Sequence, residues 1–283
     1  MKQYLRLSQK FFTLTTSVIA SGLLSVSPSR AATFASSDTF LLFSDFSQSS
    51  SDTFTKTDVE TIGTSGEGKV ELNSDATAFI EESSPVGINS SFSLASGEDK
   101  NYMGLATSIS EIKGVFDIEE NTLFSFNFIA NLDLTGSIDY FPGENASASG
   151  EVSFELWDIS QNIILDSFSV KSGLFTTNNS DFIDYNQQGN ISLDNSSLNS
   201  NFGSQEELAK ISFGGTLERY FDSQTTIALI AATNNQVKVS APEPSNGLPI
   251  LFCGAVIAIA IKDKSRYKLL LGCRKRIAHD VTE

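Results

Sequence analysis

Strict alternation of apolar and polar residues marks the middle of the chain. From Leu123 to Leu134, Phe124, Phe126, Phe128, Ala130, Leu132 and Leu134 share one parity, while Ser125, Asn127, Asn131 and Asp133 share the other. Successive side chains of an extended chain point to opposite sides, so this period of two predicts a strand with one buried face. Val152, Phe154 and Leu156 repeat the pattern, Asp158 to Asn162 supply turn residues, and Ile163 to Val170 returns as the second arm of a hairpin.

Further short strands are predicted at Phe40 to Phe43, Lys69 to Leu72, Thr77 to Ile80, Ser91 to Leu94, Ala106 to Ile112 and Val115 to Ile118. Ile211 to Phe213, Thr226 to Ala232 and Val237 to Val239 follow. Two polar stretches without this alternation, Ser44 to Thr57 and Thr176 to Asn201, read as long mobile loops. Ser204-Gln205-Glu206-Glu207 fits a capping box and predicts a turn or two of helix ending near Lys210. About a dozen short strands imply an all-β domain, a single β-sandwich with jelly-roll-like connections whose core is the set of phenylalanine faces.

The two ends of the chain have a different character. Lys2, Arg6 and Lys10 precede the largely apolar run Phe11 to Val26, and Ser29-Arg30-Ala31 offers small residues to a signal peptidase. This layout predicts a secretory signal over 1–31, cleaved after Ala31. Toward the other end, Pro242-Glu243-Pro244 ends whatever β-structure precedes it, because proline fixes φ and gives no donor to a ladder, so the folded domain spans 32–240.

An apolar run from Leu248 to Ile261 follows, then the basic residues Lys262, Lys264, Arg266 and Lys268. As a helix the run is about 21 Å long, against a hydrocarbon core of about 30 Å. Lysines beyond Ile261 can snorkel to the headgroups, and positive charge there holds that side in the cytoplasm. The segment 241–276 therefore reads as a short membrane anchor, with 277–283 as a cytoplasmic tail.

The Pro-Glu-Pro triplet, the Gly-, Ala- and Ile-rich run and the basic cluster together resemble the PEP-CTERM sorting signal of bacterial exported proteins. The resemblance implies recognition of Pro242, Glu243 and Pro244 by an exosortase-type membrane peptidase, in bacteria that make exopolysaccharide. It covers the C-terminal tail alone. Family members usually finish soon after the basic cluster, whereas this chain continues to Glu283 with a second cluster, Arg274-Lys275-Arg276. An ordinary C-terminal anchor is the other reading of the same residues.

Charge separates the domain from its flanks. Of 19 basic residues, four precede Ala32 and seven follow Ala241; of 34 acids only Glu243, Asp263, Asp280 and Glu283 lie outside, leaving the domain at −22. A surface of that sign repels phosphate backbones and argues against nucleic-acid partners. Both cysteines, Cys253 and Cys273, and the single histidine, His279, also lie in the tail. The domain thus lacks a disulfide framework, a Ser-His-Asp triad, a Cys-His pair and the usual zinc ligands.

Other chemistry is thinly represented. Ser110-Glu111-Ile112-Lys113 has the Ser-x-x-Lys spacing of serine acyltransferases but sits in a predicted strand, without the partner motifs. Two carboxylates about 5 to 10 Å apart can hydrolyse a glycoside, and nothing among the acids selects such a pair. Asp181, Asp184 and Asp194, beside Asn178, Asn179 and Asn195, are oxygen donors of the type calcium accepts. Trp157 falls on the polar parity of its strand, with Tyr140 and Phe141 in a turn nearby in sequence, which offers aromatic faces for stacking on sugars.

Two functions follow as expectations. The first is a non-catalytic exported surface or matrix protein, associated with exopolysaccharide and delivered through its tail. The second is a secreted carbohydrate-binding module, stabilised by calcium if the aspartates converge.

Overall fold

The computed structural model describes residues 32–81, 86–141, 143–177 and 180–242. The predicted signal, Glu243, Pro244, the apolar run, the basic cluster, Asn178 and Asn179 lie outside the described residues. Twelve strands form: β1 (Ala32–Ser44), β2 (Asp52–Ser65), β3 (Lys69–Ile80), β4 (Gly87–Glu98), β5 (Tyr102–Ile118) and β6 (Thr122–Ser137) in the first half. The second half holds β7 (Asn145–Asp158), β8 (Ile163–Phe175), β9 (Phe182–Gln188), β10 (Ile191–Asn201), β11 (Glu206–Phe221) and β12 (Thr225–Ala241).

They make two six-stranded antiparallel sheets packed face to face, a β-sandwich, in the orders β10-β11-β6-β1-β4-β3 and β2-β5-β12-β7-β8-β9. Because every pairing is antiparallel, consecutive strands run up and down the sandwich and its turns fall into two groups. One end gathers the start of β1, the end of β12 and the β2–β3, β4–β5, β6–β7, β8–β9 and β10–β11 turns; this is the tail end. The far end holds the remaining turns, including the β7–β8 hairpin.

The alternation of β6 buries Phe124, Phe126 and Phe128 against Phe43, Phe116, Phe154 and Phe168. Phe128 and Phe154 meet edge to face at 4.9 Å, and Phe43 and Phe126 at 5.3 Å. The positive rim of one ring thereby faces the negative face of another, on top of about 1.5 to 3 kcal/mol of burial for each ring.

The core changes character under β1, β4, β5 and β12, where Ser37, Thr39, Ser91, Ser93, Ser108, Thr233 and Asn235 are buried. Asn235 joins the two sheets: its Nδ2 donates to Thr39 Oγ1 at 3.0 Å and Ser91 Oγ at 2.9 Å, and its Oδ1 accepts from Ser37 Oγ at 2.5 Å. Small hydroxyl side chains fill the interior there, each needing partners that only neighbouring strands supply.

Several sequence expectations are corrected. The Ser44 to Thr57 loop gives way to strand from Asp52, and the Thr176 to Asn201 loop contains β9 and β10. These are edge strands of their sheets, exposed on both faces, so no apolar parity announces them. The turn of helix at Ser204 to Lys210 is absent, because Glu206 to Lys210 begin β11 and pair with β6 over Ser137 to Asp133. Strands predicted in two pieces are continuous: Lys69 to Ile80, Tyr102 to Ile118 and Thr225 to Ala241. Val152 to Val170 forms the predicted hairpin around the Asp158 to Asn162 turn, β7 and β8 pairing antiparallel with a register shift between Leu156 and Trp157.

Candidate functional site

The far end of the sandwich is shaped by the β7–β8 hairpin. Asp158 is buried and accepts at one oxygen from Gln161 N (2.9 Å) and at the other from Thr225 Oγ1 (3.3 Å), which ties the turn to β12. Asn162 closes the turn at φ 59°, a left-handed conformation that asparagine tolerates. Ile159, Ile163 and Ile164 project from this hairpin and are exposed.

Trp157 is on the outer face of the sheet, as its parity predicts, and is half-buried. Its register partner on β12 is Ala228, which is only 2 % exposed although it too faces outward. Trp157 Nε1 donates to Glu155 Oε2 at 2.8 Å, which fixes the ring on the sheet with a carboxylate at its edge. A flat apolar face bordered by a hydrogen-bond acceptor is the combination a sugar ring uses.

Tyr140 does not join it. Tyr140 and Phe141 are highly exposed in the β6–β7 turn, at the tail end, whereas Trp157 is near the far end of β7. Roughly 40 Å of extended chain at about 3.3 Å per residue separates them. Closeness in sequence is misleading here because a whole strand intervenes.

Nor are the three aspartates gathered. Asp181, in the β8–β9 turn, accepts from Phe175 N at 2.7 Å. Asp184 stands opposite Lys171 on the outer face, where Lys171 Nζ is 3.0 Å from Glu151 Oε1. Asp194 occupies a β-bulge on β10, in the other sheet. With Asn190, Ile191, Ser192, Thr216 and Glu218 it lines an open cleft of about 460 Å³. No group of three or more His, Cys, Asp or Glu side chains able to hold a metal ion occurs among the described residues.

Two acidic sites escaped the sequence. Asp38 and Asp133 are cross-strand partners on the outer face, with Lys210 Nζ 2.8 Å from Asp133. Burial, then the neighbouring Asp133 charge, raises the Asp38 carboxyl to about 6. Glu207, at the start of β11, is 2 % exposed, and burial followed by the Asp181 charge raises it to about 7. Ser110 and Lys113 fall on opposite faces of β5, with Ser110 buried and donating to Thr77 O at 2.6 Å, so the Ser-x-x-Lys spacing brings no base to that hydroxyl.

No protein-family model matches the chain, and no curated protein and no solved structure matches it. No helix among the described residues is long and apolar enough to cross a membrane, which leaves β-barrels unaddressed.

Proposed function

We propose that the chain is a non-catalytic exported protein of the cell surface or extracellular matrix, associated with exopolysaccharide. Its acidic β-sandwich is delivered through the PEP-CTERM-like tail, with Pro242, Glu243 and Pro244 as recognition residues for an exosortase-type peptidase. Lys262, Lys264, Arg266 and Lys268 serve as the stop that holds the membrane segment before processing.

The observation that carries this reading is the course of β12. It lies inside its sheet between β5 and β7, ends at Ala241, and passes directly into Pro242. The chain therefore leaves the described domain from an interior strand, at the first residue of the Pro-Glu-Pro triplet. The repeated passage of the chain from sheet to sheet accords with a jelly-roll-like wrap.

Fractionation of cells expressing the protein checks this assignment. The account expects the mature domain in the envelope or the medium, and confinement to the cytoplasm would remove it.

The fixed, half-buried Trp157 favours a second reading, a carbohydrate-binding module acting through its far end. Titration of the mature protein with a panel of acidic and neutral polysaccharides should show binding that Trp157→Ala weakens at least tenfold, equivalent to about 1.4 kcal/mol. Binding indifferent to that substitution, or no binding, excludes Trp157 as the contact.

A further inference from the structure

At the tail end, two carboxylates lie beside one backbone N–H. Phe175 N donates to Asp181 Oδ1 at 2.7 Å, and its dipole also acts on the Glu207 carboxylate. Glu207 Oε1 accepts from Gly203 N at 3.3 Å, while its Oε2 is buried without a donor and the side chain meets that of Asp181. Two ionised carboxylates in contact, one of them almost wholly removed from water, repel each other and leave an oxygen unsatisfied.

Among the described residues, the donors that reach Glu207 are backbone groups. Glu207 pairs on β6 with Gly136, the β10–β11 turn offers Gly203 and β8 offers Phe175, all backbone groups. Asp181 is the one charged side chain among the described residues that acts on Glu207. N–H donors repel a metal ion, and although they favour the ionised carboxylate, burial and the Asp181 charge outweigh them, so a proton is the species that fits between the two side chains.

We propose that Glu207 keeps a proton, which it donates to Asp181, and that this contact forms a pH-sensitive latch at the tail end of the sandwich. The latch pins Asp181, just before β9, to the start of β11, at the end where β1 begins and β12 leaves for Pro242. When the proton is present, Glu207 donates to Asp181 and every buried oxygen has a partner. When it leaves, two negative charges face each other and Asp181 separates from the strand.

The sign follows from the folded state holding a proton that the unfolded chain releases earlier. Stability from the latch is complete below the ordinary glutamate range and is lost as pH rises through about 7. Between pH 4.5 and pH 8 the folding equilibrium should fall by up to roughly 300-fold from this pair.

The test compares melting and denaturant midpoints from pH 4.5 to 8.5 for Asp38→Asn and for Asp38→Asn with Glu207→Gln, Asp38 being the other carboxyl raised toward this range. The glutamine amide donates to Asp181 permanently, so the second protein should keep its midpoint across the range. Equal pH dependence in the two proteins overturns the proposal.

If the glutamine variant fails to fold, Asp181→Asn and hydrogen exchange at Phe175 and Gly203 decide. Protection at those amides should drop above pH 7 beyond the intrinsic rate, and pH-independent protection rejects the latch. A calcium-induced rise in the melting temperature at pH 8 that Glu207→Gln abolishes identifies a cation site and also overturns it.

Discussion

Asn235 holds three strands at once, so its loss should be felt beyond its own size. Replacing it with alanine removes one buried partner from each of Ser37, Thr39 and Ser91. We expect a loss of about 2 to 4 kcal/mol in denaturant unfolding, from several unmade bonds at about 1 to 3 kcal/mol each, partly relieved by regrouping of the hydroxyls. Arg219 works by charge. Its Nε lies 2.6 Å from Asp166 Oδ2 and its Nη2 donates to Leu165 O and Asp166 Oδ1, both at 3.0 Å. Asp166 is 0 % exposed and also accepts from Asn190 N at 2.6 Å, which ties the β9–β10 turn to β8. Arg219→Ala strands a buried carboxylate and should cost about 3 to 5 kcal/mol, whereas Lys171→Ala, in an exposed pair, should cost under about 1 kcal/mol. Equal losses in the two variants would mean that Asp166 relaxes to solvent.

Strands differ in how openly the sequence declares them. β6 and β7 alternate because one face meets the core, and their parity also placed Trp157 outward. In β2 neither parity is consistently apolar: Thr53, Thr55 and Thr57 share one with Val59, and Lys56, Asp58 and Glu60 share the other with Phe54 and Ile62, all three hydrophobics being exposed on this edge strand. Serines within β4 and β5 broke the apolar pattern because the hydroxyl half of the core uses them as interior residues. Glu207 looked like a capping-box residue, yet it sits in a strand and meets Asp181, a partner only topology supplies. The β7–β8 hairpin, by contrast, was written locally in its turn residues. At that turn Asn162→Gly should be nearly neutral, while Asn162→Val should cost about 1 to 2 kcal/mol, because a β-branched residue resists φ 59°. Thermal unfolding of the two variants measures the difference, and equal melting temperatures would show that the turn conformation is not held.

Across the whole molecule, charge and topology point the same way. Beneath a domain charge of −22, two carboxyls, Asp38 and Glu207, are raised toward neutrality by burial and by a neighbouring acid. Groups raised in the folded state give their full stability below the ordinary carboxylate range and lose it as pH climbs through about 6 and 7. The domain should therefore be more stable at pH 5 than at pH 8, a trend opposite to acid denaturation, and flat denaturant midpoints over that range would contradict it. The up-and-down course of the strands puts the exit of β12 and the Trp157 hairpin at opposite ends, roughly 40 Å apart.

Delivery through the tail is the claim on which the functional reading stands, and the intact mass of the protein recovered from the cell surface or medium tests it most directly. The account predicts a chain that begins near Ala32 and has lost the residues following the Pro242-Glu243-Pro244 region. A full-length chain from Met1 to Glu283, recovered from the cytoplasm, would contradict it.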